Sequence, residues 1–193
     1  VNTIYVSDNQ LIGANTDGLG FAKSVKHDAD FVLKGKKIFI FGSGGAARGI
    51  IFELINQQVS SITIRNRNYK KAIALAQSVY DNTKYRELKI EKWDSQTFKK
   101  KYDLIINTTS FGMKENEILN FDYSQAHTDS LFCDIIYNPQ KTEFLKKAEK
   151  KKFKTLNGMG MLVRQAETSF CKWFKLKVSE KMILKTKEML EES

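Results

Sequence analysis

Short apolar runs alternate with amphipathic stretches through the middle of the chain. Lys37–Phe41 (KIFIF) is almost continuously apolar, the pattern of a strand buried on both faces. The stretch Ala46–Gln57 then places Ala47, Ile50, Ile51, Leu54 and Ile55 at helical spacing. Ser61–Arg65 predicts a second strand and Tyr69–Tyr80 an Ala-rich helix. Tyr102–Asn107 and Leu131–Tyr137 are two more buried runs, with a weaker fifth at Phe153–Leu156 and a helix, Thr142–Lys151, between the last two. Short strands alternating with helices predict an α/β fold built on a doubly wound parallel sheet with helices on both faces.

The flanks read differently. Asn2–Val6 and Gln10–Gly13 are short apolar pieces joined by Ser7-Asp8-Asn9, a hairpin signature. Asp17 opens a helix that runs to about Asp30. Met161–Lys175 and Ser179–Glu191 predict two closing helices. Their apolar stripes (Leu162, Ala166, Phe170, Trp173 and Phe174; Met182 and Met189) need a partner surface. A single proline, Pro139, and no repeat leave no obvious linker.

Composition narrows the class. A chain of 193 residues fits one large domain, or one domain with part of another. An apolar fraction of 41% excludes disorder. No apolar run approaches the ~20 residues of a membrane span, and the first residues lack the basic and apolar regions of a signal peptide. The net charge of +10 points toward nucleic acid at first sight. The lysines, however, sit in short runs (Lys34–Lys37, Lys99–Lys101, Lys146–Lys147, Lys150–Lys152) without interleaved aromatics, which reads as solvated helix ends and loop lips. Neither nucleic acid nor a membrane is expected as a partner. Cys133 and Cys171 each follow a Phe in apolar context and read as buried thiols of a reduced, cytoplasmic protein. His27 and His127 lack ligand spacing, so no metal is expected.

The chemistry begins at Gly42-Ser43-Gly44-Gly45-Ala46-Ala47-Arg48, which closes the first buried strand and opens a helix. In that context G-x-G-x-x-[GA] has a physical meaning. Gly42 permits the tight turn, Gly44 lets backbone approach a pyrophosphate, and Ala47 lets helix and strand pack closely. The free N–H groups at the helix start favour an anion. A dinucleotide-binding, Rossmann-type sheet follows. An NAD-selective site carries Asp or Glu about 20 residues on, at the end of the second strand, to bond the ribose 2′-OH. Here that position reads Arg65-Asn66-Arg67-Asn68-Tyr69-Lys70-Lys71, without an acid. Asn66, Arg67 and Lys71 therefore read as a 2′-phosphate clamp, and the cofactor as NADP.

Six motifs, in order and over nearly the whole chain, then resemble the shikimate dehydrogenase family. They are Asn15-Thr16-Asp17-Gly18, the Gly42–Arg48 turn, Asn66-Arg67-Asn68, Asn107–Met113 (NTTSFGM), Asp134–Pro139 (DIIYNP) and Asn157–Ala166 (NGMGMLVRQA). The resemblance implies NADPH-dependent, reversible reduction of 3-dehydroshikimate to shikimate, in the chorismate route to aromatic amino acids, by a monomer or homodimer. It assigns Asp17 a catalytic role beside a lysine and contact with substrate hydroxyls. It assigns Asn2, Tyr137 and Gln165 to substrate. Gly42, Ser43, Gly44, Gly45, Ala46 and Thr108 fall to the cofactor, and Ile136 and Gly158 to positions beside the nicotinamide.

The family's S-x-S and NVT-x-P-x-K motifs, the latter with the catalytic lysine, are absent. The chain is therefore expected to be a fragment lacking most of an N-terminal substrate lobe, inactive alone. Residues 1–16 would end that lobe, 17–157 form the nucleotide domain, and 158–193 pack toward the lobe. The competing readings are a quinate/shikimate dehydrogenase paralogue and a non-catalytic NADP-binding module. Joint presence of Asn2, Asp17 and Gln165 favours the enzyme.

Overall fold

The computed structural model describes residues 1–94, 101–114 and 117–192. Lys99 and Lys100 of one lysine run lie outside the described residues. A hairpin of β1 (Thr3–Ser7) and β2 (Gln10–Ala14) opens the chain, and Asp8 and Asn9 both take positive φ at its tip (49° and 58°). Two consecutive left-handed residues make the turn whose twist matches paired strands, and Asp and Asn tolerate that region best after glycine.

Helix α1 (Asp17–Asp28) leads into the main sheet: β3 (Lys37–Phe41), α2 (Gly45–Asn56), β4 (Ser61–Arg65), α3 (Tyr69–Asn82), β5 (Leu88–Glu91), β6 (Tyr102–Asn107), β7 (Ala126–Asp134), α4 (Glu143–Lys150) and β8 (Lys154–Leu156). The six strands are ordered β5-β4-β3-β6-β7-β8, with every neighbouring pair parallel. Numbered from β3, this is the Rossmann order 3-2-1-4-5-6, whose direction reverses between β3 and β6. Helices α5 (Met159–Phe174) and α6 (Glu180–Glu191) close the chain.

Period-two alternation sorts the core into two kinds. In β3, Ile38 and Ile40 face an aliphatic cluster with Ile50, Leu54 and Ile62, while Phe39 and Phe41 face an aromatic cluster with Tyr102, Phe132 and Phe144. Phe39 meets Phe41 at 4.9 Å and Tyr102 at 5.0 Å, both edge-on, a geometry that adds about 0.5–1.5 kcal/mol per pair beyond area burial. Ile38–Phe41 is thus apolar throughout because both faces of a central strand are covered.

Three features depart from the sequence reading. β5 has no counterpart there, because LKIE is a four-residue edge strand whose Lys89 is exposed. β7 begins at Ala126 and ends at Asp134 rather than spanning Leu131–Tyr137; the Asp134 carboxylate takes the Ile136 N–H and turns the chain out of the sheet. Cys133 is buried, but Cys171 is only half-buried, its Sγ 3.7 Å from Glu167 Oε1.

The closing helices use one face well. Met161, Val163 and Arg164 of α5 are buried, with α5 lying against α1. Phe170, Trp173, Phe174, Met182 and Met189 remain exposed. Among the described residues, no helix is long and apolar enough to cross a membrane.

Candidate functional site

The crevice lies where the strand order reverses. Gly42 leaves β3 at φ 110°, and Thr108 leaves β6 beside it, bonding Phe41 O through both its N–H (2.9 Å) and its Oγ1 (2.6 Å). Any Cβ at Gly42 would run into Thr108 Oγ1 and also demand a left-handed conformation. Gly44 is different: a Cβ there would meet nothing within 4 Å. The backbone at the start of α2 thus borders open space, and no side chain caps its first N–H groups. That is a cradle for a phosphate, which a side chain at Gly44 would fill.

Gly42, Ser43, Gly44, Asn66, Arg67, Lys71 and Thr108 line one cavity of about 470 Å³, with Asn68, Thr109, Ser110, Phe111 and Trp93 completing its wall. Two cations and no carboxylate face this space. Asn68 caps α3 by accepting Lys71 N–H at 3.1 Å, which sets Lys71 in the helix's first turn. The Arg67 guanidinium lies 4.7 Å over the Phe111 ring, and Phe111 stacks on Trp93 at 5.7 Å. Arg65 is excluded from this group of cations. It is buried, pairs with Glu91 at 2.7 Å and lies 5.0 Å over Phe39. The residues present fit a dinucleotide carrying an extra phosphate on its adenosine side.

Gly45 and Ala46 occupy the first turn of α2. Gly45 opens on a neighbouring cavity of about 490 Å³ shared with Thr16, Gly18 and Gly49. Ile136 and Gly158 lie past the ends of β7 and β8 and are joined by Gly158 N–H to Ile136 O at 3.0 Å. Tyr137 is 45% exposed. The lining of the 470 Å³ cleft includes none of Ile136, Gly158 and Tyr137.

A second cluster forms from residues far apart in sequence. Asn2 Nδ2 donates to Asp17 Oδ1 at 2.8 Å and reaches Gln165 Oε1 at 3.4 Å. Asn2 Oδ1 accepts from Thr16 N–H at 3.0 Å and from Thr16 Oγ1 at 3.2 Å, so the amide can turn only one way. Beneath it runs a buried hydroxyl chain, with Thr3 Oγ1 at 2.7 Å and Thr16 Oγ1 at 3.1 Å from Ser169 Oγ. Gly20 permits this arrangement, since a Cβ there would strike the Gln165 backbone and push α1 from α5. Tyr137 has no hydrogen bond to the cluster among the described residues. Nor does any lysine stand within ion-pair distance of Asp17 among them.

Sequence reasoning missed Thr16 and Ser169 as partners, although Thr16 lies inside a quoted motif and Ser169 follows Gln165 by one helical turn. It also missed a buried polar knot at the end of β6. Asn107 Nδ2 donates to both Asp134 oxygens at 3.0 Å and to Phe111 O at 3.0 Å; Thr142 Oγ1 donates to Asp134 Oδ2 at 2.7 Å. Burial without a counter-ion pushes the Asp134 carboxyl up to about 6, even though these donors act to lower it.

The chain matches the family model described as shikimate / quinate 5-dehydrogenase over residues 23–151. It is 38% identical over 174 residues to the shikimate dehydrogenase (NADP(+)) of Geobacillus kaustophilus, covering 90% of this chain and 62% of that protein. Among solved structures, a shikimate dehydrogenase in complex with NADP+ superposes with a TM-score of 0.82 at 33% identity, over 97% of this chain and 65% of that one. The ligand-free 5-ketofructose reductase of Gluconobacter sp. superposes at 0.84 with 32% identity, over 97% and 67%. The chain thus spans about three-fifths of the length of the curated relatives it matches. A model match over well more than half of the residues, on a Rossmann-ordered sheet with its glycine turn at the switch point, places the chain in the shikimate/quinate 5-dehydrogenase family.

Proposed function

We propose that this chain provides the NADP-binding unit and part of the substrate site of a shikimate dehydrogenase, which reversibly reduces 3-dehydroshikimate to shikimate with NADPH. The observation that carries this reading is the joining of Asn2, Asp17 and Gln165, from three separate parts of the chain, into one hydrogen-bonded cluster. An amide, a carboxylate and a second amide together offer donors and acceptors for adjacent ring hydroxyls. A module that only binds a nucleotide has no need of them.

Gly42, Ser43, Gly44 and the first turn of α2 would hold the pyrophosphate, and Asn66, Arg67 and Lys71 the 2′-phosphate, in an acid-free cleft. NADP, when bound, supplies the hydride chemistry. Asn2, Asp17 and Gln165 orient the substrate so that its carbonyl carbon is presented in one geometry. Asp17 would also steady the cationic partner that moves the proton to and from the carbonyl oxygen. Ile136, Gly158 and Tyr137 are proposed to border the reacting end. The same reading keeps residues 1–16 and 158–193 with the substrate side and 17–157 with the nucleotide, as a cytoplasmic biosynthetic enzyme.

The test is calorimetry on the NADP-loaded chain with shikimate, quinate and 5-ketofructose. Shikimate should bind, and Asp17→Asn and Gln165→Ala should each weaken it while cofactor affinity holds. Preference for either of the other two compounds would move the substrate assignment to that compound.

A further inference from the structure

We propose that Asn107, locked in place by Asp134, is a positioning residue for cofactor discrimination, because it holds Phe111, the ring on which Arg67 lies. The proposal rests on the reading of the Arg67 cleft as the 2′-phosphate site.

Asn107 ends β6 and is completely buried. Every polar atom of its side chain is committed. Its Oδ1 accepts Thr109 N–H at 3.0 Å and Thr109 Oγ1 at 2.7 Å. Its Nδ2 donates to the two Asp134 oxygens and to Phe111 O. One side chain therefore fixes both ends of the short loop that forms the cleft's rim. An amide has two possible orientations, and the choice matters here. Flipped, Asn107 would turn its oxygen on the Asp134 carboxylate and on Phe111 O. Asp134 forbids that flip. Its own carboxylate is anchored by Thr142 Oγ1 and Ile136 N–H, at the start of α4 and the exit of β7.

The loop has an outward consequence. Phe111 is held from behind by its carbonyl and flanked by Trp93, and its ring carries the Arg67 guanidinium at 4.7 Å. Arg67 is otherwise an exposed side chain at the cleft's edge. A long cation has many rotamers, and a ring beneath it selects those that keep the charge over the cleft. Asp134 carries no partner cation among the described residues. A buried carboxylate facing only neutral donors is a poor choice for stability alone, which fits a role in orienting Asn107.

The test uses the swap Asn107→Asp with Asp134→Asn in the 193-residue chain. The swap keeps one amide and one carboxylate facing each other but leaves Phe111 O without its donor. The quantity read is the ratio of NADH to NADPH dissociation constants, from cofactor fluorescence, with thermal melts in parallel. The ratio should fall about two- to five-fold, the size of a lost exposed cation–π contact. A purely structural defect would weaken both cofactors equally and leave the ratio unchanged, and that result overturns the proposal. If the swap does not fold, Phe111→Leu, at a half-buried position, decides in the same way: an unchanged ratio overturns the proposal. Arg67→Ala is the control. If wild type shows no preference, or Arg67→Ala leaves the ratio intact, the reading of the cleft itself has failed.

Discussion

Arg164 Nη2 meets Asp28 Oδ1 at 2.8 Å in near-complete burial and also holds Glu180 Oε1 at 2.6 Å. One guanidinium thus ties α5 to α1 and to α6. Arg164 holds the Asp28 carboxyl below the usual carboxylate range, with Ser24 and Lys187 helping, although burial opposes it. Arg164 is charged at every accessible pH.

Removing Arg164 strips the buried Asp28 carboxylate of its nearest counter-ion and leaves it only Ser24 and Lys187, the latter at 4.0 Å. Arg164→Met should therefore destabilise the chain by about 3–5 kcal/mol, measured by urea unfolding. Glu180→Gln should cost far less, because that carboxylate is half-exposed. An Arg164→Met chain as stable as wild type would mean that apolar packing alone holds α5 to α1.

Asp134 predicts the opposite sign of pH dependence from Asp28. Its folded-state value is raised to about 6 from 3.8, so the folded state binds the extra proton between those values. Stability should fall as pH rises through that window, by about 3 kcal/mol in all. Other carboxylates superimpose their own slopes. The informative curve is therefore wild type minus Asp134→Asn, from chemical unfolding between pH 4 and 7. A flat difference curve would show that Asp134 titrates at its ordinary value.

These two carboxylates also show what was legible in the sequence. Sheet and switch point could be read because KIFIF, SITIR and YDLIIN are buried on both faces, and because a glycine turn at a strand end has few other uses. The edge strand β5 could not, since its four residues include an exposed Lys89 and an ion-paired Glu91 and so present no apolar run. Asn2, Asp17 and Gln165 were picked out by motif resemblance; nothing in their spacing foretells contact across 163 residues. Asn107 and Asp134 each stood inside a quoted motif. Their pairing, 27 residues apart, follows only from the parallel register of β6 and β7, which sets them directly opposite.

Cofactor preference should follow Arg67. The cleft presents Arg67 and Lys71 and no acid, so NADPH should bind much more tightly than NADH. Arg67→Ala should remove most of that preference, a loss of roughly 1.5–3 kcal/mol for a charge-assisted contact. Introducing an acid, Asn66→Asp, should go further and repel the 2′-phosphate. Fluorescence titrations with both cofactors at one ionic strength check both. Equal affinities in the unmutated chain would leave Asn66, Arg67 and Lys71 as an ordinary basic loop.

Turnover should separate from cofactor binding. The Arg67 cleft proposed for the cofactor has its turn, its helix start and its cations, whereas Asp17 has amides around it and no lysine within ion-pair reach among the described residues. A missing general acid/base lowers rate typically by about 10²–10⁴-fold, and missing positioning groups lower it further. The 193-residue polypeptide should therefore bind NADPH yet reduce 3-dehydroshikimate at least about a hundred-fold more slowly than a curated relative assayed beside it. Asp17→Asn should leave NADPH affinity within about two-fold, since the carboxylate bonds Asn2 and does not line the Arg67 cleft. Steady-state absorbance at the nicotinamide band, with parallel fluorescence titration, measures both quantities. Fast turnover by the polypeptide would mean that one of its own lysines serves Asp17. A large loss of NADPH affinity in Asp17→Asn would mean that the two clusters are one site.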